Sequence, residues 1–279
     1  MRPTSRSRHR YAAATALAAA VALLATACSA QSQETTLSNG VKLVKKGRLT
    51  TCTHLPYAPF QSTQNGKVVG FDVSLIDLVA KKLGVKQQII DTSFETIKTG
   101  AALDAGSCDI AAAGMTITPE RKRHLDFSVP YFDATQALMA RKGVPATDLA
   151  AVESRKLKLG SQSSTTGEDY ANAHGGDPVS YESSDAELNG LRTGAVDVII
   201  QDYPVVQNWL KDPANSSKFA LAGDIDTGEQ YGFAVKKGGN PKLLATVDEV
   251  IKQAIADGAY KKLYEQWIGP MPKSAGNIG

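Results

Sequence analysis

Cysteine is scarce in this sequence: Cys28, Cys52 and Cys108 are the only three. Beyond Leu24 no apolar run approaches the length of a membrane span. Charge of one sign is missing too. The chain carries 31 basic and 28 acidic side chains, net +3. Four of the arginines, Arg2, Arg6, Arg8 and Arg10, crowd the N-terminus. Without them 27 basic groups face 28 acidic ones, net −1. The basic balance belongs to that terminal segment and gives no ground for a nucleic-acid partner. G-x-S-x-G, a phosphate loop and H-E-x-x-H are all absent, so the sequence carries no nucleophile elbow, nucleotide cradle or zinc-protease helix. His124 and His174 stand at no metal-ligand spacing to Cys or acids. No metal and no cofactor are expected.

The N-terminus reads as a secretory signal over 1–27. A basic segment, Met1–Arg10, precedes an Ala/Leu/Val run, Tyr11–Leu24, and small residues before a cut. Two cleavage readings compete. Leu24-Ala25-Thr26-Ala27-Cys28 resembles a bacterial lipobox, which would make Cys28 the lipidated first residue, although Ala25 stands where Leu is usual. Ala25-Thr26-Ala27 is also an A-x-A site for ordinary secretion. The lipoprotein is favoured, because it gives the cysteine at the cut a purpose. The mature protein is then extracytoplasmic, held to the outer face of the cell membrane by lipid on Cys28. A secreted soluble chain is the alternative. In that oxidising compartment Cys52 and Cys108 are expected as one disulfide, with two buried free thiols as the alternative.

Residues 28–40 are polar and expected as a flexible tether, and 271–279, rich in Gly, Pro and Ser, as a frayed tail. Between them strand and helix patterns alternate. Leu43–Thr53, Val85–Asp91 and Asp109–Ala113 read as strands. Helices are expected from Asp72, as a cap, to Leu83, and over Phe94–Ala105. Thr118-Pro119-Glu120-Arg121 reads as a helix start, with Thr118 as cap and Pro119 in the first turn. The second half repeats the logic with strands at Lys156–Gln162, Val179–Tyr181 and Val196–Gln201, and helices after Ser163 and Asp185. Leu103-x-x-Gly106-x-x-Asp109 recurs as Leu191-x-x-Gly194-x-x-Asp197. Five residues on from each Asp stand Gly114 and Asp202, at the carboxyl ends of strands, where open α/β sheets bind ligands. The expected fold is α/β and two-lobed, each lobe a mostly parallel sheet flanked by helices, with a ligand cleft between lobes. The expected divisions are 41–133 for lobe 1, 134–230 for lobe 2 and 231–270 for a return to lobe 1.

Several residues supply chemistry for that cleft. Arg121 and the turn at Thr118 offer donors to an anion, as do Ser164, Thr165 and Thr166 at a second helix start. The alternative at Arg121 is a solvated arginine on an ordinary capped helix. Asp202 is an acceptor for an ammonium group, or else a helix cap. Tyr57 and Phe94 provide aromatic walls. A carboxylate receptor beside an ammonium receptor fits the head of an α-amino acid.

Pro56-Tyr57-Ala58-Pro59-Phe60, Gly70-Phe71-Asp72, Asp109 with Met115-Thr116-Ile117-Thr118-Pro119-Glu120-Arg121, Asp126-Phe127-Ser128 with Pro130-Tyr131, and Gln201-Asp202 carry a resemblance. From Leu43 to Trp267 the chain resembles bacterial extracellular solute-binding proteins of family 3, the polar amino-acid-binding components of ABC importers with a periplasmic-binding-protein-like fold. The resemblance implies that Arg121 and Thr116, helped by Thr166, hold the α-carboxylate. It implies that Asp202 and the Gly114 carbonyl hold the ammonium, with Tyr57 stacked on the ligand and Phe94 opposite. Two positions depart from the pattern. Ser164 stands where Gly is frequent, and His54 stands where members that bind basic side chains often carry an acid. His54 could face an amide or a carboxylate.

The function expected is capture of a polar L-amino acid by a monomer, without chemistry, for delivery to ABC permease subunits. Glutamine or glutamate come first, other polar amino acids next and basic ones last, with selectivity set near His54, Gln61 and Phe94. The alternatives are an enzyme on the same fold, a dehydratase or a peptidoglycan-cleaving one using Glu168, Glu182 or Asp185 as acid, and the ligand-sensing component of a receptor complex.

Overall fold

The computed structural model describes residues 34–272. The signal segment, Cys28, the first part of the tether and the tail from 273 lie outside the described residues. The chain opens with β1 (Thr35–Thr36), β2 (Lys42–Leu43), β3 (Arg48–Thr53), β4 (Ser62–Gln64), β5 (Lys67–Val69), α1 (Phe71–Lys82) and β6 (Lys86–Asp91). It continues through α2 (Phe94–Lys98), α3 (Ala101–Asp104), β7 (Ile110–Ala111), a 3-10 turn (Arg121–Arg123), β8 (Leu125–Phe127) and β9 (Phe132–Arg141). Next come α4 (Leu149–Ser154), β10 (Leu159–Gln162), α5 (Thr166–Ala173), β11 (Val179–Tyr181), α6 (Ser184–Thr193) and β12 (Val198–Asp202). Last are α7 (Tyr203–Leu210), α8 (Pro213–Ser216), β13 (Phe219–Tyr231), β14 (Ala234–Lys236), α9 (Pro241–Ala256) and α10 (Ala259–Trp267).

Two five-stranded sheets use one plan. The first runs β6-β3-β7-β14-β8 and the second β11-β10-β12-β9-β13. In each, three parallel strands are followed by one that runs against them and a fifth that runs with them again. Helices flank both, so the two-lobed α/β class holds. Four of the five strands in each sheet therefore run the same way, with β14 and β9 reversed. The antiparallel pairings involve β8, β9, β13 and β14. Of these, β9 is buried along most of its length, which erases the two-residue alternation that marks a strand, and β13 alternates in burial only from Gly223 to Glu229, where Gly223, Asp224, Asp226 and Gly228 read as turn residues.

The repeated motif leads into β7 and β12, the middle strand of each sheet. Gly106 and Gly194 take left-handed φ of 67° and 79°, which lets the chain leave the preceding helix. The Asp of each copy then holds the neighbouring strand. Asp109 accepts the Thr50 N–H at 2.7 Å, and Asp197 accepts the Lys158 N–H at 2.9 Å.

Four local expectations are corrected. Asp72 is not a cap: α1 is capped at Gly70, and Asp72 points into the core to accept the Gly114 N–H and the Tyr131 hydroxyl, each at 2.8 Å. The helix expected over Phe94–Ala105 breaks at Gly100 into α2 and α3. Thr118-Pro119-Glu120-Arg121 opens only a 3-10 turn, because β8 begins at Leu125 and pairs with Lys236. Thr118 still caps it, accepting the Arg121 N–H at 3.1 Å. The tether segment is paired from Thr35, where β1 joins β2.

An aromatic cluster joins the two sheets where the chain crosses between them. Tyr131 stacks on Phe233 at 4.1 Å between centroids, and Phe132 lies 5.6 Å from both Tyr231 and Tyr264. Helices α9 and α10 pack against α1. Cys52 in β3 and Cys108 before β7 are bonded, with Cα atoms 5.7 Å apart, so the free-thiol alternative falls. Among the described residues no helix is long and apolar enough to cross a membrane.

Candidate functional site

A narrow pocket lies between the sheets. The loop after β3 contributes His54, Tyr57 and Gln61, and α2 its first residue, Phe94. The segment after β7 brings Ala113, Gly114 and Thr116, and the 3-10 turn brings Arg121. From the second sheet come Gln162, at the end of β10, and Thr165 and Thr166 at the start of α5. His54, Tyr57, Phe94, Gly114, Thr116, Arg121, Thr165 and Thr166 are thus brought together as expected. Ser164 and Asp202 do not line the pocket. Gly114 must be glycine: its φ is 54°, and an added Cβ would sit 2.9 Å from the Tyr57 ring.

Arg121 dominates the electrostatics. It is 5% exposed. Its Nη1 donates to the Thr116 carbonyl at 2.9 Å and its Nη2 to the Ser164 carbonyl at 3.3 Å. The guanidinium lies 5.3 Å from the centroid of the Phe94 ring. Among the described residues no carboxylate lies within 4.0 Å of it. Burial lowers its pKa, against the longer-range pull of Asp169, Asp202 and Glu229, but an arginine stays charged. A buried cation without a paired anion is costly unless an anion completes it.

Asp202 is also buried, at the end of β12, but its oxygens are taken. Tyr57 and Tyr231 donate their hydroxyls to Oδ2, and Gln136 Nε2 donates to Oδ1. Burial raises its pKa, opposed by the Tyr231, Tyr57 and Gln136 hydrogen bonds and by Arg121. It is therefore not the open acceptor, facing the cleft, that the sequence suggests. Tyr57 has a second acceptor in Gln201 Oε1 at 2.7 Å, and Gln201 Nε2 donates in turn to buried Glu187 at 2.7 Å. Asp202 is no side-chain cap for α7 either.

Ser164 has a different role from the one expected. Its N–H is bound to Glu168 Oε2 at 2.7 Å, its hydroxyl donates to Glu95, and its carbonyl accepts from Arg121. Its φ of 68° is left-handed, which is the physical reason glycine suits this position. Glu168 is engaged by Ser164 and by Ser180, so it is no free acid. Thr165 caps α5, accepting the Glu168 N–H at 3.2 Å, and Thr166 Oγ1 lies 3.2 Å from Thr116 Oγ1 across the cleft. Both nitrogens of the His54 ring meet backbone carbonyls, Thr92 at 2.9 Å and Glu182 at 3.2 Å, rather than the pocket.

Sequence reasoning missed Ala113 and Gln162. The strand-end rule that pointed to Gly114 and Asp202 also applies to Gln162, the last residue of β10. Gln61 Oε1 and Gln162 Oε1 are buried without a hydrogen-bond partner. The Gln136, Tyr231, Gln201 and Glu187 network around Asp202 had no spacing signal. Among the described residues no group of three or more His, Cys, Asp or Glu could hold a metal.

The sequence pattern of bacterial extracellular solute-binding proteins, family 3, matches residues 49–270. The chain belongs to that family. It is 32% identical over 225 residues to a probable histidine-binding protein of Neisseria gonorrhoeae, covering 76% of this chain and 80% of that one. It is 28% identical over 214 residues to the ABC transporter glutamine-binding protein of Bacillus subtilis strain 168, covering 76% and 77%. Its fold is similar to an ancestral arginine-binding protein bound to glutamine. The TM-score is 0.74 and the identity 36%, over 80% of this chain and 99% of the other. These relatives are amino-acid-binding proteins by name, and the family is described as extracellular. The chain is a solute-binding protein of that kind.

Proposed function

We propose that this chain captures a polar L-amino acid outside the cell and delivers it, as a monomer, to ABC permease subunits. The observation that carries the reading is Arg121, a buried guanidinium with no carboxylate of the described chain beside it. A ligand α-carboxylate supplies the missing anion, and the Thr116 and Thr166 hydroxyls flank it. The ammonium goes to Asp202 and the Gly114 carbonyl. The single Tyr57 O–H, which lies between Asp202 and Gln201, then turns wholly to Gln201 Oε1. Arg121 and Asp202 match the two charges of a zwitterion. Among the described residues no carboxylate lines the pocket, which ranks basic side chains last and favours glutamine or glutamate. Closure of the two lobes over the ligand gives the permease a form to recognise. Lipid on Cys28 would hold the protein at the membrane while it does so.

Two measurements test this. A thermal-shift screen of the common amino acids should show stabilisation by at least one polar member, since binding to the folded state raises stability. Calorimetry of Arg121→Met should then show affinity reduced by roughly a hundredfold or more, the cost of leaving a buried charge unpaired. Unchanged affinity in that variant would sink the reading.

A further inference from the structure

We infer that the face of the first lobe around the start of β3 docks on a membrane surface of anionic lipid headgroups. Lys45-Lys46-Gly47-Arg48 turns the chain from β2 into β3, and the Arg48 N–H closes the turn on the Lys45 carbonyl at 3.1 Å. Gly47 takes a left-handed φ of 71° there. Lys86 stands opposite Arg48 in the parallel register of β3 and β6. Lys42 and Lys242 extend the patch towards the start of α9: Asn240 Nδ2 donates to the Lys42 carbonyl at 2.7 Å, and the Lys242 side chain lies over Gly40. All six cations are exposed. Among the described residues none of them has a carboxylate within 4.0 Å.

The acids near this face do not neutralise it. Asp109 is buried and committed to the N–H groups of Val44 and Thr50. Asp104 and Glu249 already hold Lys236 and Lys82. Glu34 is exposed and subtracts one charge. Beyond the signal segment the chain has 27 basic and 28 acidic side chains; setting aside the six cations and Glu34 leaves 21 against 27, net −6. One end of the molecule is therefore positive and the remainder negative. An anionic surface attracts the first and repels the second, which fixes an orientation. The cations are spread over a turn, an edge strand and a helix start rather than converging on one point. That spacing suits a sheet of headgroups better than a single small anion.

The course of the chain agrees. Strand β1 pairs with β2 beside the basic turn. Cys28 precedes Thr35, the first residue of β1, by seven positions, a reach of at most about 25 Å. At its other end β3 leads from Thr53 into His54 at the pocket. The strand rises about 17 Å between its ends, so docking by the basic face holds the pocket off the headgroups and open to solute. This inference rests on the proposed placement at a membrane, but neither on lipid at Cys28 nor on the identity of the ligand.

The test sediments the mature chain carrying Cys28→Ser, which takes no lipid, with vesicles of phosphatidylglycerol or of phosphatidylcholine. The protein should go down with the anionic vesicles at low salt and stay in solution with the neutral ones. It should be released at about 1 M salt, where screening leaves a reach of about 3 Å. Lys45→Glu, Lys46→Glu and Arg48→Glu together should weaken binding to the anionic vesicles by about a hundredfold or more. The same charge change at exposed positions of the second lobe, Lys142→Glu, Arg155→Glu and Lys158→Glu together, should leave it within a few fold. Equal loss in both triple variants, or equal binding to both lipids, overturns the inference. Absence of wild-type binding to the anionic vesicles also overturns it and leaves the face to an acidic protein partner. Thermal shifts with the common amino acids, read on the same proteins, separate the two readings. Vesicle binding without any amino-acid response counts against the ligand reading alone, and an amino-acid response without vesicle binding counts against the basic face alone.

Discussion

Asp72→Asn should make the protein more stable at neutral and alkaline pH and leave it almost unchanged at about pH 4. Asp72 is fully buried in α1 and bonded to the Gly114 N–H and the Tyr131 hydroxyl. Burial lifts its carboxyl from the ordinary 3.8 to about 7, although both hydrogen bonds pull the other way. In the unfolded chain the group returns to its ordinary value. Between about pH 4 and pH 7 the folded protein therefore holds a proton that the unfolded chain has released, and stability falls as pH rises. The full displacement is worth about 4 kcal/mol above pH 7. Asparagine keeps an acceptor for the Gly114 N–H, can donate to the Tyr131 oxygen and carries no charge. Urea unfolding of both proteins at several pH values between 4 and 8 would read the difference. The gap should grow from near zero at about pH 4 to a few kcal/mol at about pH 8. A constant gap, or a variant less stable than wild type at pH 8, would refute the reasoning. Gly114 stays in place in the variant, so ligand affinity should change by no more than a few fold.

Three further outcomes are expected. Replacing Cys52 and Cys108 together by alanine removes a closure over 56 residues and should cost about 4 kcal/mol in urea unfolding; a loss below about 1 kcal/mol would contradict the constraint. Ser164→Gly should be more stable than Ser164→Ala by about 1 kcal/mol, since both lose the hydroxyl and only alanine keeps the strain of a left-handed φ; equal melting temperatures would argue against it. In competition calorimetry L-glutamine should displace L-glutamate, and the reverse order would contradict the part assigned to Gln61 and Gln162.

The sequence revealed what repeats and what is local. The Leu-x-x-Gly-x-x-Asp pair identified the two middle strands, because a helix end, a left-handed glycine and an anchoring aspartate all lie within seven residues. Arg121 was legible because its turn and the resemblance agreed. Asp72 was misread, since a residue at a helix start looks like a cap unless its long-range partners, Gly114 and Tyr131, are known. Asp202 was found by position but not by state. Its partners Tyr57, Gln136 and Tyr231 lie 145, 66 and 29 residues away, and no spacing reports such contacts. Strand β14 falls inside Tyr231–Lys236, which reads as strand-like, but β9 escaped because burial on both faces erases its alternation.

The polar groups around the pocket differ in how much of their bonding capacity the chain itself uses. Asp202 and the Ser164 N–H are satisfied by protein partners. Among the described residues Arg121 has no anion beside it, and Gln61 Oε1 and Gln162 Oε1 have no donor. A buried acceptor left without a donor costs about 1–3 kcal/mol, so a side chain that donates to these oxygens gains what one that only accepts cannot. A carboxylate accepts and would leave both amide oxygens unpaired. An ammonium or guanidinium donates, but it would enter a pocket that already holds Arg121 and that no acid lines among the described residues. A carboxamide donates without charge, and its own oxygen can accept from a glutamine NH2. The same two residues stand on opposite walls, Gln61 after β3 and Gln162 at the end of β10. A carboxamide bonded to both would therefore serve at once as the selected group and as a link between the lobes, which is why glutamine should precede glutamate.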